Sequence, residues 1–131
     1  MRKSALVVFA ALSLPLAASA QGEVRYGRGL YNVYCASCHG ADARGNGWLA
    51  QYLTRRPPPL TLLAKDFGGS FPRELVREVI DGRREVVLHG PREMPVWGDR
   101  LRGALGPRPS VEAAVQRRIN AITDYLAGIQ E

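Results

Sequence analysis

Apolar side chains recur at helical spacing in three stretches of this chain, and alternating strand-like runs are few. Val24, Gly27, Leu30, Tyr31 and Tyr34 fall three and four apart, which predicts an amphipathic helix from Val24 to about Ser37. The clearest period lies near the other end, where Val111, Val115, Ile119, Ile122, Leu126 and Ile129 predict a helix from Val111 to about Gly128, with Ser110 as its N-cap. Between them, Leu75, Val76, Val79 and Ile80 form one face of a helix ending at Asp81. Ser70 is its expected N-cap, Pro72 fits its first turn and Gly82 its end.

The intervening stretches carry breakers. Trp48-Leu49 and Tyr52-Leu53 read as a short helix or turn after the glycine-bearing loop 41–47. Arg55 to Leu60 is read as extended, because each residue before a proline is pushed out of helical geometry. Lys65 to Gly69 reads as a loop, and Arg100 to Pro109 as a glycine- and proline-punctuated linker. The pattern as a whole predicts an all-α fold.

Two features restrict what this fold can be for. The chain opens Met1-Arg2-Lys3, continues through a largely apolar run from Ala5 to Ala18, and reaches Ala18-Ser19-Ala20 before Gln21. A charged start, an apolar middle and an A-x-A site predict a secretory signal peptide over residues 1–20, with one domain over 21–131. The run falls short of the about 20 apolar residues that a membrane span needs, so no span is expected after cleavage. Removing 20 of 131 residues leaves 111, enough for one domain with a modest core, and the expected destination is the bacterial periplasm. Charge adds less. Losing Arg2 and Lys3 leaves 16 basic against 12 acidic residues, with arginine pairs at 55–56, 83–84 and 117–118. Scattered pairs without interleaved aromatics argue against nucleic acid, while a basic rim could steer an acidic redox partner.

The chemistry concentrates in Cys35-Ala36-Ser37-Cys38-His39. CxxCH is the attachment signature of a c-type haem: two thiols add across the porphyrin vinyl groups and the adjacent imidazole ligates the iron. On a helical turn, positions three apart share a face, so both sulfurs reach one edge of a flat ring. A disulfide and a thioredoxin-like dithiol are the other uses of such a pair, the latter wanting strands that the pattern lacks. Zinc would need four ligands, and the exported chain has only two thiols and two histidines.

With the motif in place, Gly27 to Tyr34 followed by CASCHG resembles a class I cytochrome c, and the similarity covers the whole exported chain. The resemblance implies a small cytochrome c fold, three to five helices wrapped around one haem c held covalently through Cys35 and Cys38. It also implies that a glycine eight residues before the first cysteine lets the first and last helices cross closely, with an aromatic packed at the crossing; these are Gly27 and Tyr31. Tyr125 resembles the aromatic of the last helix and is expected against Gly27. From the residues alone, Gly27 marks either such an approach or an untidy helix start, since glycine costs a helix about 1 kcal/mol against alanine.

The resemblance also implies a second axial ligand. Met94 is the only methionine after the signal peptide, precedes Pro95 and lies 55 residues beyond His39. Met-Pro in a glycine- and proline-rich stretch is not a helical core pattern, so Met94 is expected to ligate the iron opposite His39, which raises the reduction potential. His89 is the competitor. The resemblance further implies that a proline carbonyl, from Pro57, Pro58 or Pro59, accepts the other ring proton of His39, and Trp97 suits either a pocket wall or an ordinary core position. The expected role is to pass single electrons between redox partner proteins, as a free carrier or as the cytochrome subunit of a dehydrogenase or oxidase complex. A haem-based gas sensor is a third reading. Nothing in the sequence forms an acid/base pair or nucleophile constellation.

Overall fold

The computed structural model describes residues 16–84, 94–106 and 110–131, with side chains from Gln21 onward. These residues form α1 (Leu16–Tyr34), α2 (Ala36–His39), α3 (Leu63–Asp66), α4 (Arg73–Asp81), α5 (Trp97–Leu105) and α6 (Val111–Gly128), with 3-10 turns at Ala50–Tyr52 and Leu60–Leu62. No strand occurs among the described residues, so the fold is all-α. The helix count exceeds three to five because α2 and α3 are single turns of four residues each. No helix among the described residues is long and apolar enough to cross a membrane. Most of the expected signal peptide lies outside the described residues, and α1 begins at Leu16, earlier than the predicted Val24.

The largest helix interface is α1 against α6. At its closest point a Cβ placed on Gly27 would stand 1.8 Å from the carbonyl oxygen of Ala121, so no side chain fits between the helices there. The predicted crossing is present, and its tightest contact is between backbones. Gly27 meets the backbone of Ala121 and Ile122. Tyr125 lies one turn further along α6, its ring tilted 50° against Tyr31 with centroids 5.3 Å apart. Spacing gives the face a residue shares; the residue opposite a crossing point depends on the crossing angle and register, which the period leaves open. Tyr31 is fully buried, and its hydroxyl donates to the carbonyl of Gly40 at 2.7 Å.

Val115, Ile119, Ile122 and Leu126 of α6 are buried as its period predicts, each worth about 1.5–3 kcal/mol relative to exposure. Ser110 occupies the N-cap position without a side-chain capping bond; its carbonyl accepts from the Ala114 N–H at 3.1 Å.

Three expectations need correction. Helix α4 starts at Arg73 with Pro72 in the N-cap position, so Ser70 does not cap it. Phe71 precedes a proline and is pushed toward extended geometry, which delays the helix start. Lys65 and Asp66, predicted as loop, complete α3, since Leu60 to Ala64 ahead of them favours helix. The predicted linker over 100–109 is helical through Leu105, because Trp97, Leu101 and Leu105 put an apolar stripe on α5 that outweighs its two glycines. Helix α4 ends as expected at Gly82, which is left-handed at φ +80° and donates to the Glu78 and Val79 carbonyls. Val76 and Ile80 of α4 are buried, and the helix packs on α5 and α6.

Candidate cofactor site

The CxxCH segment is shaped by one carbonyl. The Cys35 N–H closes α1 by bonding the Tyr31 carbonyl at 2.8 Å, and the Cys35 carbonyl then accepts from both Cys38 at 3.1 Å and His39 at 2.9 Å. This tight turn separates α1 from α2, which is why the predicted single helix to Ser37 breaks at Cys35. Gly40, at φ +84°, ends the turn. The loop that follows folds back on the motif: Gly45 donates to the His39 carbonyl at 2.7 Å, Gly47 to Cys38 at 3.2 Å and Leu49 to Ser37 at 2.9 Å. Gly45, at φ +72°, is pressed against the next segment, where a Cβ would lie 2.0 Å from the Pro57 carbonyl oxygen. The Nε of Arg56 donates to the Gly45 carbonyl at 3.0 Å.

These contacts border a small cavity of about 50 Å³. Cys35, Cys38 and His39 line it together with Met94, Pro95 and Trp97, so the residues singled out at opposite ends of the domain meet at one cavity. His89 and the rest of residues 85–93 lie outside the described residues. The rings of Tyr34 and Trp97 close one stretch of wall, 5.5 Å apart at 57°. Trp97 is thus a pocket wall and, being half-buried, not a fully enclosed core residue. Pro57 and Pro58 also line the pocket, whereas Pro59 caps the 3-10 turn at Leu60–Leu62, its carbonyl accepting from Leu62 at 3.5 Å. No residue of α4 is among the described lining, and that helix packs on α5 and α6.

Sequence reasoning missed Arg55 and Arg56, which it counted only among the scattered arginine pairs and which border the pocket. The available signal was their position directly before Pro57, at the start of the stiff segment laid along the cavity.

The two cysteines are thiols, not a disulfide, in this structure. Burial first, and the neighbouring Cys38 second, push the Cys35 thiol up to about 12. A dithiol redox centre works the other way, with its nucleophilic thiol lowered to expose a thiolate. Burial likewise raises the Tyr31 phenol well above its ordinary value, with the charges of Cys35, Tyr125 and Asp42 adding to it, which keeps the hydroxyl a neutral donor to Gly40. Two thiols, an imidazole and a thioether gathered on a largely apolar cavity fit a covalently held haem better than a closed metal cage or an exchange-active dithiol.

An all-helical chain with the haem-attachment motif on the wall of an apolar pocket is a small cytochrome c domain. Residues 22–104, well over half of the chain, match the family described as cytochrome c oxidase, cbb3-type, subunit III, and the chain belongs to that family. A domain of this kind holds haem c and transfers electrons through it. No curated protein and no solved structure matches the chain.

Proposed function

We propose that this protein is a mono-haem electron carrier of the periplasm, its haem c bonded to Cys35 and Cys38 and ligated by His39 and Met94. Bound there, haem supplies an iron that takes up and releases one electron at a time. The reading rests on one observation, the meeting of Cys35, Cys38, His39 and Met94 on a single pocket although 55 residues separate the two ligands.

Within that reading each residue has a physical task. Cys35 and Cys38, presented from one turn, fix the group against loss. His39 would donate a nitrogen to the iron, and with the group bound a carbonyl of the neighbouring Pro57 or Pro58 would accept its other ring proton and so set the tautomer. Met94 offers a soft sulfur, which favours the reduced iron and raises the potential. The Tyr34–Trp97 wall excludes water and keeps the dielectric low. Export is supported by the charged, apolar and A-x-A succession of residues 1–20. The family description favours a second reading, a cytochrome subunit that works inside an oxidase complex. The native size of the haem-bearing species separates the two, a small monomer indicating a free carrier.

The ligand assignment is tested by the oxidised absorption spectrum. Methionine ligation gives a weak far-red sulfur-to-iron band, which Met94→Ala should abolish and His89→Ala should spare. Survival of the band in Met94→Ala would refute the assignment.

A further inference from the structure

Asp81, the last residue of α4, lies outside the pocket, yet its side chain is only 5% exposed. A buried carboxylate is costly unless it is fully paired. Here Arg83 Nε forms an ion pair with Oδ2 at 2.6 Å, while Gln116 Nε2 donates to Oδ2 at 3.2 Å and Arg102 Nη2 to Oδ1 at 3.5 Å. Arg102 belongs to α5 and Gln116 to α6, so one carboxylate ties three helices together. Arg102 is held in turn by Asp99 and Glu112, each at 2.9 Å.

The first turn of α5 rests directly on this group. A Cβ on Gly98 would stand 2.1 Å from Asp81 Oδ1 and 2.8 Å from the Asp81 carbonyl oxygen, so only glycine allows the approach. Val96 provides α5 with no side-chain cap, and a carboxylate beside an uncapped first turn sits at the positive end of the helix. The next residue makes a second grip: at Gly82 a Cβ would meet Val96 Cγ1 at 2.4 Å. Consecutive residues of one segment thus clasp Val96 and Gly98 of another, and Met94 stands two residues before Val96.

We infer that Asp81 is a positioning residue for Met94: by holding the start of α5 against the end of α4, it fixes the thioether at the pocket through Pro95 and Val96. The inference rests on the reading of Met94 as an axial ligand. It assigns the buried carboxylate a role in ligation that stability alone does not require.

Carbon monoxide competes with methionine for ferrous haem, so its binding rate to the reduced holoprotein reports how often Met94 lets go. Asp81→Ala should bind carbon monoxide at least tenfold faster than the native protein. Asp81→Asn, which keeps the shape and loses the charge, should show a smaller increase. Gly98→Ala, which forces the helix start off the carboxylate, should change in the same direction and serves if Asp81→Ala does not fold. Ile122→Val, a core truncation at the α1–α6 crossing, should lower the melting temperature and leave the rate within twofold of native. Native rates in the folded Asp81 and Gly98 variants would overturn the inference while leaving the ligand assignment standing. Absence of the far-red band from the native oxidised protein would instead overturn the ligand assignment, and the inference with it.

Discussion

The Cys35–His39 segment and the Met94 segment border the same pocket but are held there by different forces. The first is built from neighbours in sequence: backbone bonds among Tyr31, Cys35, Cys38 and His39, then Gly45, Gly47 and Leu49 returning to the same turn. The second depends on parts of the chain far away. Val96 is seated on Gly82, Trp97 on Tyr34 and Gly98 on Asp81. A segment set by local backbone bonds forms with its own turn, whereas one set by tertiary contacts is only as firm as the helices that supply them. Under the proposed ligation, this division gives the covalent anchor to the local segment and the exchangeable ligand to the tertiary one.

The largest blow to this arrangement should come from Gly27→Leu. Its Cβ alone would overlap the Ala121 carbonyl, so the α1–α6 crossing that supports the haem motif must open. Overpacking of this kind costs about 1–3 kcal/mol or more, and the melting temperature should fall by several degrees. An unchanged melting temperature would mean that the crossing does not support the fold. Tyr31→Phe sharpens the comparison by striking only the locally built side. Leaving the buried Gly40 carbonyl without its donor should cost about 1–3 kcal/mol while the far-red band persists. Loss of the band together with stability would show that the two sides are not separable.

Trp97→Leu should give the converse pattern, with a change in the far-red band and a smaller loss of stability, about 0.5–1.5 kcal/mol for the ring pair with Tyr34. The smallest effects belong to two exposed carboxylates, one in each region. The Asn46 amide, then the Arg44 backbone N–H, hold the Asp42 carboxyl below its ordinary value. Arg102 foremost, then Gln116, do the same for Glu112. A lowered folded-state pKa favours the folded protein fully above the ordinary value, 3.8 for Asp42 and 4.5 for Glu112, and that contribution disappears as pH falls through the lowered folded values. The melting temperature should therefore decline in acid, and Asp42→Asn with Glu112→Gln should flatten that decline. An equally steep decline in the double variant would place the acid sensitivity elsewhere.

The same division governs how much could be read from the sequence. CxxCH and the period of α6 are local signals, and the structure contains the motif's turn and the helix where the residues put them. Gly27 announced a close approach, but that the backbone of Ala121 lies nearest to it follows from a crossing angle that no spacing encodes. Most of helix α5 was read as linker because Gly103, Gly106, Pro107 and Pro109 look like breakers. Gly98 is glycine because Asp81 lies against it, a fact visible only once α4 and α5 are together. Met94 stood out as the sole methionine after Met1, whereas Arg55 and Arg56 became pocket residues only when the proline segment was laid along the cavity. Chemistry carried by neighbours in sequence was legible, and chemistry assembled across helices was not.

The difference between the two regions is tested most directly by unfolding the oxidised holoprotein in denaturant while following the far-red band and the far-ultraviolet helical signal in the same samples. The account predicts that the band, reporting the Met94 side, disappears at a lower denaturant concentration than the helical signal, which reports the α1–α6 crossing. Coincident midpoints would contradict it, since both sides would then be held by a single cooperative unit.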